Sequence, residues 1–77
     1  MPTVLVIEDQ KETIRLLESI LATRKIDTIS AEHADTGIDM MRTQSPDLVL
    51  MDLLLPEVDG FTAIKMIKDD NDLKHIP

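Results

Sequence analysis

Three carboxylates stand directly after two largely apolar runs of the sequence. Glu8 and Asp9 follow the run of residues 3–7, and Asp52 follows the run of residues 48–51. If the fold brings the ends of these runs together, the three negative charges repel one another unless a cation neutralises them. A hard ion that prefers oxygen ligands, such as Mg²⁺, suits a site with few carboxylates and room for water and phosphate oxygens. The residue types therefore predict a Mg²⁺ site built from Glu8, Asp9 and Asp52.

The two runs predict strands that are buried on both faces of a parallel sheet. Residues 3–7 and 48–51 carry Val, Leu, Ile and Met without alternating polar positions, and this pattern is typical of central parallel strands. Residues 26–31 form a third candidate strand, because they are rich in Ile and Thr and partly alternate. The polar positions of this strand place it nearer the edge of the sheet.

Apolar residues at helical spacing follow each of the three predicted strands. Their period predicts amphipathic helices with one face toward the sheet. Pro46 ends the second helix, because the residue before a proline avoids the helical region. The three predicted helices span residues 11–24, residues 34–43 and residue 61 to about residue 68.

This alternation of strands and helices predicts an α/β fold with a doubly wound parallel sheet. Short connections imply parallel pairing and right-handed crossovers. Strands that are apolar on both faces need helices on both sides of the sheet. In such a sheet, ligands gather outside the carboxyl ends of the strands, where the strand order reverses. We expect that point between the first and third strands, where Glu8, Asp9 and Asp52 would meet.

The composition argues against several classes of function. Fifteen acidic residues against eight basic ones give a formal net charge of −7, which repels nucleic acids and anionic membranes. The apolar runs are far shorter than the roughly 20 residues that span a bilayer, and the amino terminus has no signal-like pattern. The sequence contains no cysteine, so it has neither disulfides nor thiolate metal sites. We expect a cytoplasmic chain of one domain at most.

Four motifs of the sequence carry a resemblance to a known family. They are the Glu8-Asp9 pair after the first strand, the segments Pro46–Asp52 and Leu55–Gly60, and the terminal His75-Ile76-Pro77. Together they resemble the response regulator receiver domain of two-component signalling. The resemblance implies a flavodoxin-like sheet with the strand order 2-1-3-4-5. Residues 1–77 would be the amino-terminal part of this domain, truncated after the third βα unit, with strands four and five and helices four and five absent.

The resemblance also implies a role for each carboxylate. Asp52 would accept a phosphoryl group from a histidine kinase or a phosphotransfer protein. Asp9 would bind Mg²⁺ directly, Glu8 would act through water, and Asp52 and the main-chain carbonyl of Leu54 would also belong to the metal site. The family also uses a Ser or Thr after strand four and a Lys after strand five, and no residue here matches either role. We therefore expect a signalling phosphoacceptor, not an enzyme, with impaired switching.

Plainer interpretations of the same residues remain open. Asp9 could cap the first helix, since residues 9–12 have the spacing of a capping box, and Asp52 could be a solvated carboxylate at a strand end. One alternative function is a receiver-like half-domain that dimerises without phosphorylation. Another is a small metal-dependent phosphohydrolase. That alternative is weaker, because a haloacid-dehalogenase type site has a second Asp two residues after its nucleophile, where this sequence has Leu54.

The implied truncation also predicts self-association. In the order 2-1-3-4-5 the third strand, residues 48–51, would lie at the sheet edge although its sequence suits a central position. Its unpaired N–H and C=O groups and its apolar side chains would invite another strand. We expect a homo-oligomer, in its simplest form a two-fold dimer through this edge.

Overall fold

The computed structural model describes residues 2–52, 60–70, 73 and 75–77, and the elements alternate as the sequence predicts. The α/β fold is thereby confirmed, and both apolar runs form strands with the predicted bounds. Within this described part, no helix has the length and apolar character needed to cross a membrane. The strands are β1 (Thr3–Ile7), β2 (Asp27–Ala31) and β3 (Leu48–Met51), and the helices are α1 (Lys11–Ala22), α2 (Ala34–Gln44) and α3 (Gly60–Asp69).

Helix α1 ends two residues earlier than its periodicity predicts. Its C-cap is Thr23, whose hydroxyl donates a hydrogen bond to the carbonyl of Ile20 at 2.6 Å. Lys25 then takes a positive φ of 59°, the left-handed conformation that turns the chain toward β2. Hydrophobic spacing carries no signal for such a turn, because the turn depends on backbone conformation and not on which side chains face the sheet.

The three strands form one parallel sheet in the order β2-β1-β3. Strand β1 is central, and its residues Val4–Ile7 are all buried. In the ladders, Ile7 is aligned with Ala31 of β2 and with Met51 of β3. The carboxyl ends of β1 and β3 therefore lie side by side, as the doubly wound arrangement requires.

Helices cover both faces of the sheet, so the hydrophobic core has two layers. On one face, Leu5 and Ile7 belong to a buried cluster with residues of α2 and α3. On the other face, Val4 and Val6 form a smaller cluster with Ile14 of α1. This division follows from the alternation of side chains along a strand, since successive residues point to opposite faces.

Strand β3 lies at an edge of the sheet, as expected, but its backbone is partly paired. The N–H of Val49 donates to the carbonyl of Pro77 at 2.9 Å. Leu73 and Ile76 are buried in the cluster on the α2 side. The edge of β3 is therefore paired at Val49, so the expectation that this edge is wholly unpaired is wrong there.

Candidate functional site

The end of β1 and the end of β3 hold the three predicted site carboxylates beside one another. The Glu8 N–H donates to the carbonyl of Ala31 and the Asp52 N–H donates to the carbonyl of Ile7, each at 2.9 Å. These bonds extend the hydrogen-bond ladders of β1 with β2 and of β1 with β3 by one residue each, and they fix the backbone of both acids. One carboxylate oxygen from each of Glu8, Asp9 and Asp52 lies within 4.8 Å of the other two. The structure thus brings together residues that are far apart in the sequence.

The surroundings of Glu8 raise the pKa of its carboxyl group. Burial raises the pKa of Glu8 above its usual value, and the neighbouring carboxyl groups of Asp9 and Asp52 raise it further. The Gln10 N–H, which donates to Glu8 Oε1 at 3.1 Å, acts in the opposite direction and lowers this pKa. The net effect is a carboxyl group that holds its proton more tightly than a free glutamate.

Asp9 does not have the helix-capping role that its spacing allows. The N-cap of α1 is Gln10 and not Asp9; Gln10 has an extended conformation with φ −94° and ψ 113°, and its side chain makes no capping hydrogen bond. The capping interpretation of Asp9 is therefore wrong in this structure. Its carboxylate belongs to the acidic cluster with Glu8 and Asp52.

The donor set fits a hard divalent cation. Because Mg²⁺ holds its ligands at about 2.1 Å, two oxygens bound to one ion lie no more than about 4.2 Å apart. The spread of up to 4.8 Å in this cluster is close to that limit. Small side-chain rotations, or a water molecule between one acid and the ion, would close the difference. The fourth predicted ligand, the main-chain carbonyl of Leu54, lies outside the described residues.

An apolar cavity beside the acids was not anticipated from the sequence. Its volume is about 170 Å³, and Leu17 of α1 contributes to its wall. It places apolar side chains next to two of the carboxylates, those of Glu8 and Asp52. The alternation of side chains along β1 and β3 predicts which residues of each strand share a face. It does not predict that Val6 and Leu50 lie side by side, because that depends on the register of the two strands. The cavity is lined by Val6, Ile7, Glu8, Leu17, Leu50, Met51 and Asp52.

Comparison with known proteins identifies the class to which this fold and site belong. The family model described as the response regulator receiver domain matches residues 4–77. The chain belongs to the response regulator receiver domain family.

Individual relatives agree with this assignment. The polar-differentiation response regulator DivK of Brucella anthropi is 36% identical over 97% of this chain and 61% of its own length. The crystal structure of the amino-terminal domain of a response regulator receiver protein from Methanoculleus marisnigri has a TM-score of 0.93 and 27% identity, over 97% of this chain and 61% of that one. The Mn²⁺-bound form of the response regulator Rcp1 has a TM-score of 0.86 and 30% identity, over 100% of this chain and 62% of that one. The chain thus spans about three-fifths of the length of the relatives that it matches.

Proposed function

We propose that this chain is a phosphoacceptor module of a two-component phosphorelay, in which Asp52 receives a phosphoryl group from a histidine kinase or a phosphotransfer protein. The observation that carries the proposal is the convergence of Glu8, Asp9 and Asp52 at the ends of β1 and β3. Membership of the receiver family supports the same function.

In the proposed reaction, a carboxylate oxygen of Asp52 attacks the phosphorus of a phosphohistidine. A new O–P bond forms as the P–N bond breaks, and the electron pair returns to the imidazole nitrogen of the donor. The backbone bond from the Asp52 N–H to Ile7 fixes the position of the attacking group. The product is an acyl phosphate on Asp52.

A divalent cation is part of the proposed site. Asp9 and Asp52 would hold Mg²⁺ directly, Glu8 would act through water, and the carbonyl of Leu54 would complete the protein ligands. When bound, the ion neutralises the phosphoryl oxygens and lowers the repulsion that the attacking carboxylate meets. The donor set of three clustered carboxylates supports this assignment, as does a solved relative at 30% identity that is described as Mn²⁺-bound.

Two groups that the family uses have no counterpart among these 77 residues. They are the Ser or Thr after strand four and the Lys after strand five, both of which bind the transferred phosphoryl group. Preorganised donors of this kind stabilise the charge that develops in the transition state. We therefore propose that phosphorylation of this chain is slow and that switching is impaired.

Acetyl phosphate with Mg²⁺ tests the proposal, with intact-mass spectrometry as the readout. We expect slow addition of one phosphoryl group to the parent chain and none to Asp52→Asn. Asp39→Asn is the matched control, because Asp39 is an exposed acid on α2. Addition that persists in Asp52→Asn would remove Asp52 as the acceptor, and loss in the control alone would point to a different acid.

A further inference from the structure

The outer edge of β2 is open along the middle of the strand. The Asp27 N–H donates to the carbonyl of Pro2, beside β1, at 2.9 Å. Because the backbone groups of successive residues in a parallel strand face opposite sides, Thr28 and Ser30 turn their N–H and C=O groups away from β1. Within the part of the chain that the structure describes, no backbone hydrogen bond outside the ladders and helices involves either residue. Both residues therefore offer an N–H and a C=O to another strand.

This edge differs from the edge of β3, which is already paired at Val49 by the carbonyl of Pro77. In the order 2-1-3-4-5 the second strand is terminal, so further strands add beyond the third and leave β2 at the edge. Strand β2 contains no proline and one charged residue, Asp27, and thus has few of the features that protect sheet edges from pairing. The open edge follows from the strand order, and not from the carboxyl-terminal part of the chain.

A groove with charged walls lies beside this edge, between α1 and the end of β2. We call it the β2 groove, and its volume is about 280 Å³. Its lining includes both positive and negative side chains, and all of these charged side chains are exposed. A partner that fills it must therefore present both charges as well. The residues that define the β2 groove are Lys11, Ile14, Arg15, Glu18, Ser30 and Glu32.

Arg15 and Glu18 place opposite charges about one turn apart on the α1 side of the β2 groove. In the described part of the chain, the structure pairs neither of them with an oppositely charged group. A two-fold axis at the β2 edge would set α1 of one copy antiparallel to α1 of a second copy, and would bring Arg15 of each copy toward Glu18 of the other. This surface is therefore complementary in charge to itself, although the whole chain carries a net charge of −7.

An antiparallel pairing of β2 with itself satisfies the open backbone groups. With the axis at Ile29, the middle residue of the strand, Thr28 of each copy lies opposite Ser30 of the other. In such hydrogen-bonded pairs the two residues exchange both of their N–H···O=C bonds. The ladder ends there, because the Ile26 N–H already donates to the carbonyl of Leu21.

We infer that the β2 edge binds a second copy of this chain, in a two-fold dimer whose β2 strands pair antiparallel and whose Arg15 and Glu18 side chains pair across the axis. The sheets of the two copies become one continuous sheet. The proposed phosphoacceptor site, at the ends of β1 and β3, takes no part in this contact. A dimer through the β3 edge, which the sequence predicts, is the competing arrangement.

Sedimentation across a concentration series tests the pairing of the strands. Ser30→Pro removes the outward N–H of residue 30 without breaking a bond within the chain, since edge strands accept proline at such positions. Ser30→Ala is the matched control, because it removes the same hydroxyl and keeps the N–H. We expect the parent and Ser30→Ala to dimerise equally and Ser30→Pro to stay monomeric, with circular dichroism to check that each variant is folded.

Charge reversal tests the contact between the two α1 helices. Arg15→Glu and Glu18→Arg each place like charges across the axis, so each should weaken dimerisation about tenfold or more. The double variant restores opposite charges in reversed order and should recover the affinity of the parent. Glu12→Arg is the control, because it makes the same change at an exposed acid of α1 that does not line the β2 groove.

Three results would each overturn the inference. They are a parent chain that stays monomeric throughout the series, a dimer that a folded Ser30→Pro leaves intact, and a loss in Glu18→Arg no larger than that in Glu12→Arg. The second result would favour the β3 edge. If Ser30→Pro does not fold, the charge variants decide alone. None of these measurements depends on Asp52, so failure here is separate from failure of the proposed function.

Discussion

Gly37 of α2 lies directly against Ile7 of β1, so closely that a β-carbon at position 37 would come within 2.4 Å of Ile7 Cδ1 and 2.7 Å of Cγ1. Ile7 is fully buried and belongs to the core cluster that includes residues of α2 and α3. We therefore expect Gly37→Ala to lower the free energy of unfolding by about 1–3 kcal/mol, as overpacking does in close-packed cores. The gain in helix propensity, about 1 kcal/mol, offsets only part of this loss.

Urea denaturation of Gly37→Ala beside Thr36→Ala provides the measurement. Thr36 is an exposed neighbour on the same helix, so its substitution changes helix propensity without touching Ile7. If Gly37→Ala were as stable as Thr36→Ala or more stable, the close approach of α2 to β1 would not limit this position. Because Ile7 directly precedes Glu8, the same variant should also disturb the acidic cluster.

Mg²⁺ binding should distinguish the two acids that follow β1. Asp9 is the proposed direct ligand, whereas Glu8 is proposed to act through water, and loss of such an outer partner costs about tenfold or more in affinity. We expect Asp9→Ala to weaken binding more than Glu8→Ala, as measured by calorimetry. Asp39→Ala is the control for loss of one negative charge. Equal losses in all three variants would indicate diffuse attraction to an acidic chain and no defined site.

Glu8 should make the stability of the metal-free chain fall as pH rises. Its folded-state pKa is raised above the ordinary value of a glutamate, so between the ordinary and the raised pKa the folded chain binds more protons than the unfolded chain. Stability then declines with pH across this window and stays at the lower level above the raised pKa. Glu8→Gln should remove this decline and be more stable than the parent at neutral pH.

Urea unfolding at a series of pH values, from below the ordinary pKa of a glutamate to neutral pH, gives the comparison. Glu18→Gln is the control, because Glu18 is an exposed acid on α1. A decline of the same size in parent and Glu8→Gln would mean that other groups cause it. Adding Mg²⁺ should reduce the advantage of Glu8→Gln, since a cation favours the charged carboxylate.

Local patterns predicted the strands and the convergence of the acids, but they missed the contacts made over long separations. The predicted bounds of β1 and β3 match the observed bounds, because both apolar runs end at charged residues. The observed end of α2, at Gln44, is one residue beyond the predicted end. The helix stops there because Ser45 takes a left-handed conformation, with φ 45°, immediately before Pro46. Neither the approach of Gly37 to Ile7 nor the bond from Val49 to Pro77 has a local signal, because each depends on how distant elements pack.

Burial of the carboxyl-terminal segment should matter more to stability than the ion pair beside it. Leu73 is 1% exposed, and truncation of such a core leucine costs about 2–5 kcal/mol. Arg42 of α2 bonds to Asp70 at 2.6 Å, but the side chains are 45% and 23% exposed. An exposed pair of this kind contributes about 1 kcal/mol or less, and salt screens it. We therefore expect Leu73→Ala to destabilise the chain well beyond Arg42→Ala.

Chemical denaturation of both variants at low and high salt separates the two effects. The loss in Leu73→Ala should be the same at both salt concentrations, because a hydrophobic contact carries no charge to screen, whereas the small loss in Arg42→Ala should shrink at high salt. Met66→Ala is the control, because it removes a side chain of similar size from an exposed position: Met66 is 54% exposed on α3. A Leu73→Ala chain as stable as Met66→Ala would mean that Leu73 does not pack in the core cluster in solution. The hydrogen bond from the Val49 N–H to the Pro77 carbonyl would then lose its support.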